Sequence, residues 1–290
     1  MPVTFSTETI SNRPILVSFP GETVDETALA DQLADLHRRR RITGRDEDLL
    51  EHLLAVGLLS LDQIRRLLWP EALAKTAADR LSKLVGWRLL RRARPPEFQY
   101  PELGLIPGPI YGLGPGGWWW LSEKEPDGYP AQLFTAGWVW RQWLTSEIYT
   151  RLRLSQAEMT WLGRWQGLPA PWTRANPSAT LTFTTAPDAA LTVALELAVA
   201  ESFDLAAKMK TYQKIAAGGR PALVALVFSS GVELEPFRDY LARFREQVPC
   251  LLAHWPALLV APELLTAPLW QLAGSTAAPD KISLAEAVYG

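Results

Sequence analysis

Apolar residues recur along the chain with two different periods, and the change of period divides it. From Asp25 to Arg38, Leu29, Leu33 and Leu36 fall at helical spacing. A second stripe, Leu49, Leu50, Leu53, Leu54 and Val56, predicts a helix over Asp46 to Val56. Asp46, Glu47 and Asp48 sit at its positive N-terminal end and Gly57 closes it. Ser60 with Gln63 three residues on is a capping-box pattern. It opens a short helix carrying Leu61, Ile64, Leu67 and Leu68, which Pro70 ends. A further helix is predicted from about Ala77 to Val85, capped by Thr76 and stopped by Gly86, burying Ala77 or Ala78, Leu81, Leu84 and Val85. Its outward positions are then Asp79, Arg80 and Lys83. Trp87 to Leu90 reads as a strand, with Arg91, Arg92 and Arg94 following where a hairpin wing would sit.

The stretch from Arg94 to Pro115 holds Pro95, Pro96, Pro101, Pro107, Pro109 and Pro115, a density that forbids a regular helix. Nine of the thirteen tryptophans then lie between Trp118 and Trp172, which points to an aromatic core or interface. After Trp172 the period shortens. Alternation in Ala179 to Thr185 and the apolar run Leu191 to Val199 predict strands, Ser202 to Ala217 a helix, and Leu223 to Phe228 a buried strand. Glu235 to Gln247 reads as helix, Cys250 to Ala253 and Leu258 to Val260 as further short strands. No internal repeat is visible, and signals beyond Gly274 are weak.

With 290 residues, 48% apolar and 21% charged, the chain has the composition of a globular protein with room for two domains, which excludes wholesale disorder and a coiled coil. No apolar run approaches the roughly 20 residues needed to span a bilayer, because Glu196, Glu263 and several prolines interrupt the best candidates. Met1 to Pro20 lacks the basic-then-apolar order of a leader peptide, and the single Cys250 cannot form an internal disulfide, so a cytoplasmic location is expected.

Net charge is -2, but it is unevenly spread. Residues 1 to 37 carry one Arg against six carboxylates, a net of -5, whereas residues 38 to 94 carry fourteen Lys or Arg against seven carboxylates, a net of +7. That basic block coincides with the order helix, helix, helix, hairpin. The combination reads as a winged helix whose third helix fits the major groove of duplex DNA, with surrounding cations neutralising phosphates. Lys75, Thr76, Arg80 and Lys83 would line the helix, and Arg88, Arg91, Arg92 and Arg94 the wing. The plainer alternative is an interaction domain with solvated arginines. Asp79 favours it slightly, since a carboxylate on the docking face repels phosphate unless it pairs with Lys83. The run Arg38 to Arg41 is either an arm tracking the DNA backbone or the solvated end of the preceding helix.

The stretch Leu50 to Arg92, with HLLAVGLLSLDQIRRLLWP and TAADRLSKLVGWRLLRR, resembles the winged helix of the replication-relaxation family, DNA-binding proteins of plasmids and mobile elements. IYGLGPGGWWWL (Ile110 to Leu121) is similar to that family's segment leaving the wing, with Gly114 where Thr is usual. PDA (Pro187 to Ala189), ALEL and KMKTYQK resemble its C-terminal part, which is related to restriction-endonuclease-like folds. The fold expected is therefore α+β or α/β. An acidic arm and helix (1–44) and a winged-helix DNA-binding domain (45–121) precede a Trp-rich connection (122–178) and a degraded endonuclease-like α/β domain (179–290). What the resemblance implies is control of replication, transfer or transcription on a plasmid or mobile element. The implied partners are double-stranded DNA and a second copy or a replication or transfer protein, with no membrane.

An endonuclease of that fold needs an Asp and a Glu to hold a divalent metal and a Lys two residues after the Glu to orient water. Asp188 and Glu196 are the available carboxylates, but Ala198 occupies the Lys position, so a vestigial site is expected. Lys208 or Lys210 on the next helix is the one route to restoring it. No cofactor, metal or catalytic residue is expected. The alternatives are a Mg2+-dependent nuclease targeted by the winged helix and a protein-interaction adaptor. Gly112, Gly114 and Gly117 match G-x-G-x-x-G, yet Pro115 and the following tryptophans make them a turn rather than a dinucleotide site. Cys250 and His254 read as a buried thiol and a satisfied imidazole rather than a catalytic pair, and His37, His52 and His254 are too scattered for zinc.

Overall fold

Asp25 accepts hydrogen bonds from the backbone N–H groups of Thr27 and Ala28 and so begins α1 (Glu26–Arg38), which buries Leu29, Leu33 and Leu36 as its spacing predicts. The structure is a computed structural model. It describes residues 25–93, 108–121, 136–155, 158–163, 166, 168, 170–186, 189–198, 204–218, 222–228, 238, 240–244, 247–261, 263–273 and 281–289, and its architecture is mixed α and β.

Helix α2 (Gly44–Val56) starts two residues before the predicted Asp46, because the Asp46 side chain turns back to accept from the Thr43 N–H and hydroxyl, each at 2.7 Å. Gly57, at φ 78°, ends it. After β1 (Leu59–Ser60), the Ser60 N–H donates to Gln63 Oε1 at 2.9 Å and the Gln63 N–H to Ser60 Oγ at 3.3 Å, the reciprocal cap of α3 (Leu61–Leu68). Helix α4 (Ala74–Gly86) begins three residues before the predicted Ala77. Thr76 is therefore not its cap: Leu73 holds that place without a side-chain hydrogen bond, and Ala74 and Lys75, both good helix formers, carry the helix back toward the Pro70 break.

The strand predicted at Trp87 to Leu90 begins only at its last residue. Strand β2 (Leu90–Ala93) follows a turn in which Arg88 takes φ 60°, a left-handed conformation no strand accommodates. Strand β3 (Ile110–Leu113) lies between β1 and β2 and is antiparallel to both, with Tyr111 opposite Leu59 on one side and Arg92 on the other. Helix α5 (Pro115–Trp120) follows directly, so the glycine motif does lead from a strand into a helix. That helix has six residues, and a Cβ on Gly117 would collide with the Leu89 carbonyl oxygen. The glycines there let protein backbone approach protein backbone.

The long α6 (Ala136–Leu154) and β4 (Met159–Gly163) come next, then α7 (Trp172–Ala175), β5 (Ala179–Ala186), β6 (Ala189–Ala198), α8 (Leu205–Ala217) and β7 (Ala222–Phe228). Strand β8 (Cys250–His254), α9 (Trp255–Val260), β9 (Trp270–Leu272), β10 (Lys281–Ile282) and α10 (Leu284–Tyr289) complete the order. Seven strands form one sheet, β10-β9-β8-β7-β6-β5-β4. The meander β4-β5-β6 is antiparallel, and β7 returns parallel to β6 after α8, as does β8 to β7. The sheet thus includes Met159–Gly163, outside the region 179–290 expected to hold it. Residues 258–260, expected as strand, are the end of α9, where Pro256 in the first turn favours helix. Of the helix expected at Glu235 to Gln247, the described residues 238 and 240 to 242 are helical.

One hydrophobic core runs without a break from the N-terminal helices through α6 to one face of the large sheet, joining Leu33, Leu50, Leu84, Trp140, Trp161, Val193 and Trp255. A second, containing Met209, Tyr212 and Leu252, lies under α8 on the other face. Trp140 and Trp143 meet edge-on at 5.3 Å, and Trp143 and Trp255 at 6.0 Å. Trp118, Trp161 and Trp172 are also buried and Trp119 is exposed, so the described tryptophans serve mainly as core. At Gly163 the α2 terminus rests on β4 so closely that a Cβ would collide with the Ala55 carbonyl oxygen.

Glu147, on α6 and 5% exposed, ties these parts together. It accepts from Arg66 of α3 through both oxygens, from Arg151 Nε at 2.8 Å and from Gln63 Nε2 at 3.1 Å. Arg151 in turn donates to the carbonyls of Leu258, Leu259 and Ala261 around the end of α9. Burial pushes the Glu147 carboxyl up, but the hydrogen bonds and charge of Arg66, then the bonds from Arg151 and Gln63, outweigh it and hold the group below its ordinary value. Glu147→Ala would remove the buried carboxylate that Arg66 and Arg151 share, leaving Arg66 to Asp62 and Arg151 to backbone carbonyls. It should cost about 3 kcal/mol of unfolding free energy, measured by urea denaturation.

His52 of α2 sits with Nδ1 2.6 Å from the Tyr149 hydroxyl of α6, and burial, aided by the Arg153 charge, lowers its pKa to about 4. Between that value and the unfolded 6.5 the unfolded chain binds the proton and the folded chain does not. The His52 contribution is therefore full above pH 6.5 and lost as pH falls through that window, by up to about 3 kcal/mol. Denaturation curves at pH 7 and pH 5 should show this fall, and His52→Gln should flatten it.

Candidate nucleic-acid interface

Helix α4 has one buried and one open side. Ala77, Leu81 and Leu84 face the core, while Lys75, Thr76, Asp79, Ser82 and Lys83 are exposed along the opposite face. Beside it, alternation along β2 buries Leu90 and Ala93 and exposes Arg92. Of the eight residues nominated from the sequence, Lys75, Thr76, Lys83 and Arg92 are thus exposed. Among the described residues Lys75, Lys83 and Arg92 have no ion-pair partner. Arg88 and Arg91 are half-buried and engaged in contacts of their own. Arg94 lies outside the described residues.

Arg80 is the correction. Expected to face outward, it turns to α2 at the edge of the groove between the two helices: Nε donates to Asp46 Oδ1 at 2.9 Å, and Nη2 to Asp46 Oδ2 and, at 2.8 Å, to the Arg41 carbonyl oxygen. The guanidinium also lies 5.2 Å above the Trp87 ring. Position 80 flanks the buried Ala77–Leu81–Leu84 stripe, and from there a long side chain reaches the first turn of α2. Asp46 has no exposed side-chain surface. Burial pushes it up, yet the hydrogen bonds from Arg80 and Thr43 bring it below its ordinary value, and the same bond raises Arg80.

Asp79 and Lys83, four residues apart, do not pair, and neither has an ion-pair partner among the described residues. Arg45, which the sequence reading passed over although it lies in the basic block, is exposed on the first turn of α2. It lines a groove of about 530 Å³ with Thr43, Gly44, Trp69 and Thr76. The run before it is divided: Arg38 and Arg39 pair with Asp35 at 3.4 and 2.9 Å, whereas Arg40 and Arg41 are exposed.

In the large sheet, Glu196 of β6 is buried and meets Lys208 Nζ at 2.7 Å and the Tyr212 hydroxyl at 2.6 Å. Lys208 also donates to the carbonyls of Ala175 at 2.6 Å and Asn176 at 2.9 Å, which uses all three protons of its ammonium group. Burial, then the Glu196 charge, pushes the Tyr212 phenol well above its usual value. Lys210 is exposed and lines a groove of about 720 Å³ with Gln213, Lys214 and Gln247, turned away from Glu196. Asp188 lies outside the described residues, and no cluster of three metal-binding side chains occurs among those described. Burial pushes the Cys250 thiol up to about 12, which keeps it protonated and a poor nucleophile. Among the described residues no helix is long and apolar enough to cross a membrane.

Comparison of the chain with protein-family models, curated proteins and solved structures finds no match to any of them.

The two outward candidates of α4 should separate on mutation. Arg80→Ala leaves Asp46 buried without its cation and is expected to lower unfolding free energy by about 3 kcal/mol, whereas Lys83→Ala should change it by less than about 0.5 kcal/mol. Thermal or urea unfolding of the two variants measures the difference.

Proposed function

We propose that this protein binds duplex DNA through the exposed face of α4 and the neighbouring β2–β3 hairpin, as a winged helix does, and that it acts by occupying DNA rather than cutting it. The observation that carries the reading is the polar face of α4, where Lys75, Thr76, Asp79, Ser82 and Lys83 are all open to solvent, with Arg92 exposed on the strand beside it. A helix backed by a trihelical core and flanked by a hairpin fits the major groove, and the unpaired ammonium and guanidinium groups neutralise phosphates. Arg45, on the first turn of α2 next to the exposed Glu47, adds one further cation to this side. The resemblance to the replication-relaxation family makes a plasmid or mobile element the setting and replication, transfer or transcription the process controlled.

The non-cutting part of the proposal rests on Lys208. Its three donors are committed to Glu196 and two backbone carbonyls, so none is left to orient an attacking water. The β4-β5-β6-α8-β7 unit then serves as an endonuclease-like scaffold for a second copy or a protein partner.

Retention on a random-sequence duplex tests the reading. The protein should be held at about 50 mM salt and fall off steeply by about 200 mM. Lys75→Ala, Lys83→Ala and Arg92→Ala should each weaken binding without lowering the melting temperature. Retention that ignores salt, or is unchanged in all three variants, would refute it. Supercoiled plasmid should stay intact with the protein and Mg2+; cleavage lost in Glu196→Ala would establish the nuclease instead.

A further inference from the structure

The open face of α4 contains one carboxylate. Thr76, Asp79 and Lys83 succeed one another at helical spacing, and at 1.5 Å per residue the row spans about 10 Å, roughly three base steps. Asp79 is at its middle. Lys83 does not neutralise it, and Arg80, its neighbour in sequence, is turned to Asp46.

A free carboxylate at the centre of a face that approaches a polyanion is repelled by phosphates wherever it lands on them. It has one favourable target in the major groove, the exocyclic amine of a base. Cytosine N4 donates there with no neighbouring acceptor on the same base, whereas the adenine N6 donor lies beside the N7 acceptor, which repels a carboxylate, and guanine presents two acceptors and thymine an acceptor and a methyl group. Resting on the DNA-binding reading above, we propose that Asp79 is a specificity-determining residue that accepts a hydrogen bond from cytosine N4, and that it lowers affinity for unrelated sequences by repulsion. Lys75 and Lys83 on either side hold the helix to the backbone, so the carboxylate is aimed at the groove floor.

Selection from a random duplex library with the full chain and with Asp79→Asn and Asp79→Ala tests this. The native protein should enrich a site with cytosine at one fixed position. Asp79→Asn should shift that position to adenine, whose N6 and N7 suit an amide. Asp79→Ala should lose preference at that position alone while binding random duplex several-fold more tightly. Identical enriched sites from all three proteins, or a native protein that binds duplex without enriching any site, would overturn the role of Asp79 while leaving DNA binding intact. No retention of any duplex at about 50 mM salt would overturn the DNA-binding reading and this inference together. Because Asp79 is exposed, unchanged melting temperatures should accompany both variants.

Discussion

Among the described residues, the buried carboxylates Asp46, Glu147 and Glu196 set where the elements of this protein can sit. A carboxylate removed from water without a partner costs several kcal/mol, so each requires a cation delivered by another part of the chain. Arg80 brings α4 to the start of α2, Arg66 and Arg151 bind α3 and the end of α9 to α6, and Lys208 brings α8 to β6 and to the end of α7. The apolar core that runs through the same elements supplies cohesion, and the ion pairs fix relative position. The N-terminal helices are consequently packed on the large sheet and share its core.

The same pairs divide the basic block. Sequence counts fourteen cations between residues 38 and 94, yet Arg66 and Arg80 are spent on internal carboxylates, and Arg38, Arg39 and Arg65 lie beside acids on their own helices. Exposed cations remain at Lys75 and Lys83 on α4, at Arg92 on β2, at Arg45 on α2 and at Arg40 and Arg41 before it. The large sheet carries its own cation, Lys208, as a strut between secondary-structure elements.

Elements whose signals are local were legible in the chain. Asp25, Ser60 with Gln63, and Gly57 mark helix ends through contacts within four residues, and α1, α3, β5, β6, β7 and β8 follow from apolar spacing. The role of Arg80 was misplaced because a distant contact decides it. Nothing near Arg80 shows that Asp46, thirty-four positions earlier, will be buried against it. Helix α6 carries large side chains around its buried surface, Trp140, Trp143, Leu144 and Tyr149 among them, so no apolar stripe marks it. Strand β4 is the sheet edge and joins through pairing with β5 alone. The outward place of Lys83 follows from helix spacing alone, whereas Lys75 and Thr76, expected ahead of the helix, and Arg92, expected beyond the strand, are exposed on α4 and β2 themselves. The closure of Lys208 on Glu196 needed the fold.

The central functional claim is that the face of α4 beside β2 touches DNA. Amide chemical-shift mapping of the full chain with a short duplex at low salt tests it most directly. Changes concentrated in residues 73–83 and 90–92, fading as salt is raised, are the expected result. Changes confined to the outer side of α8 around Lys210 and Lys214, or no changes at all, would contradict it.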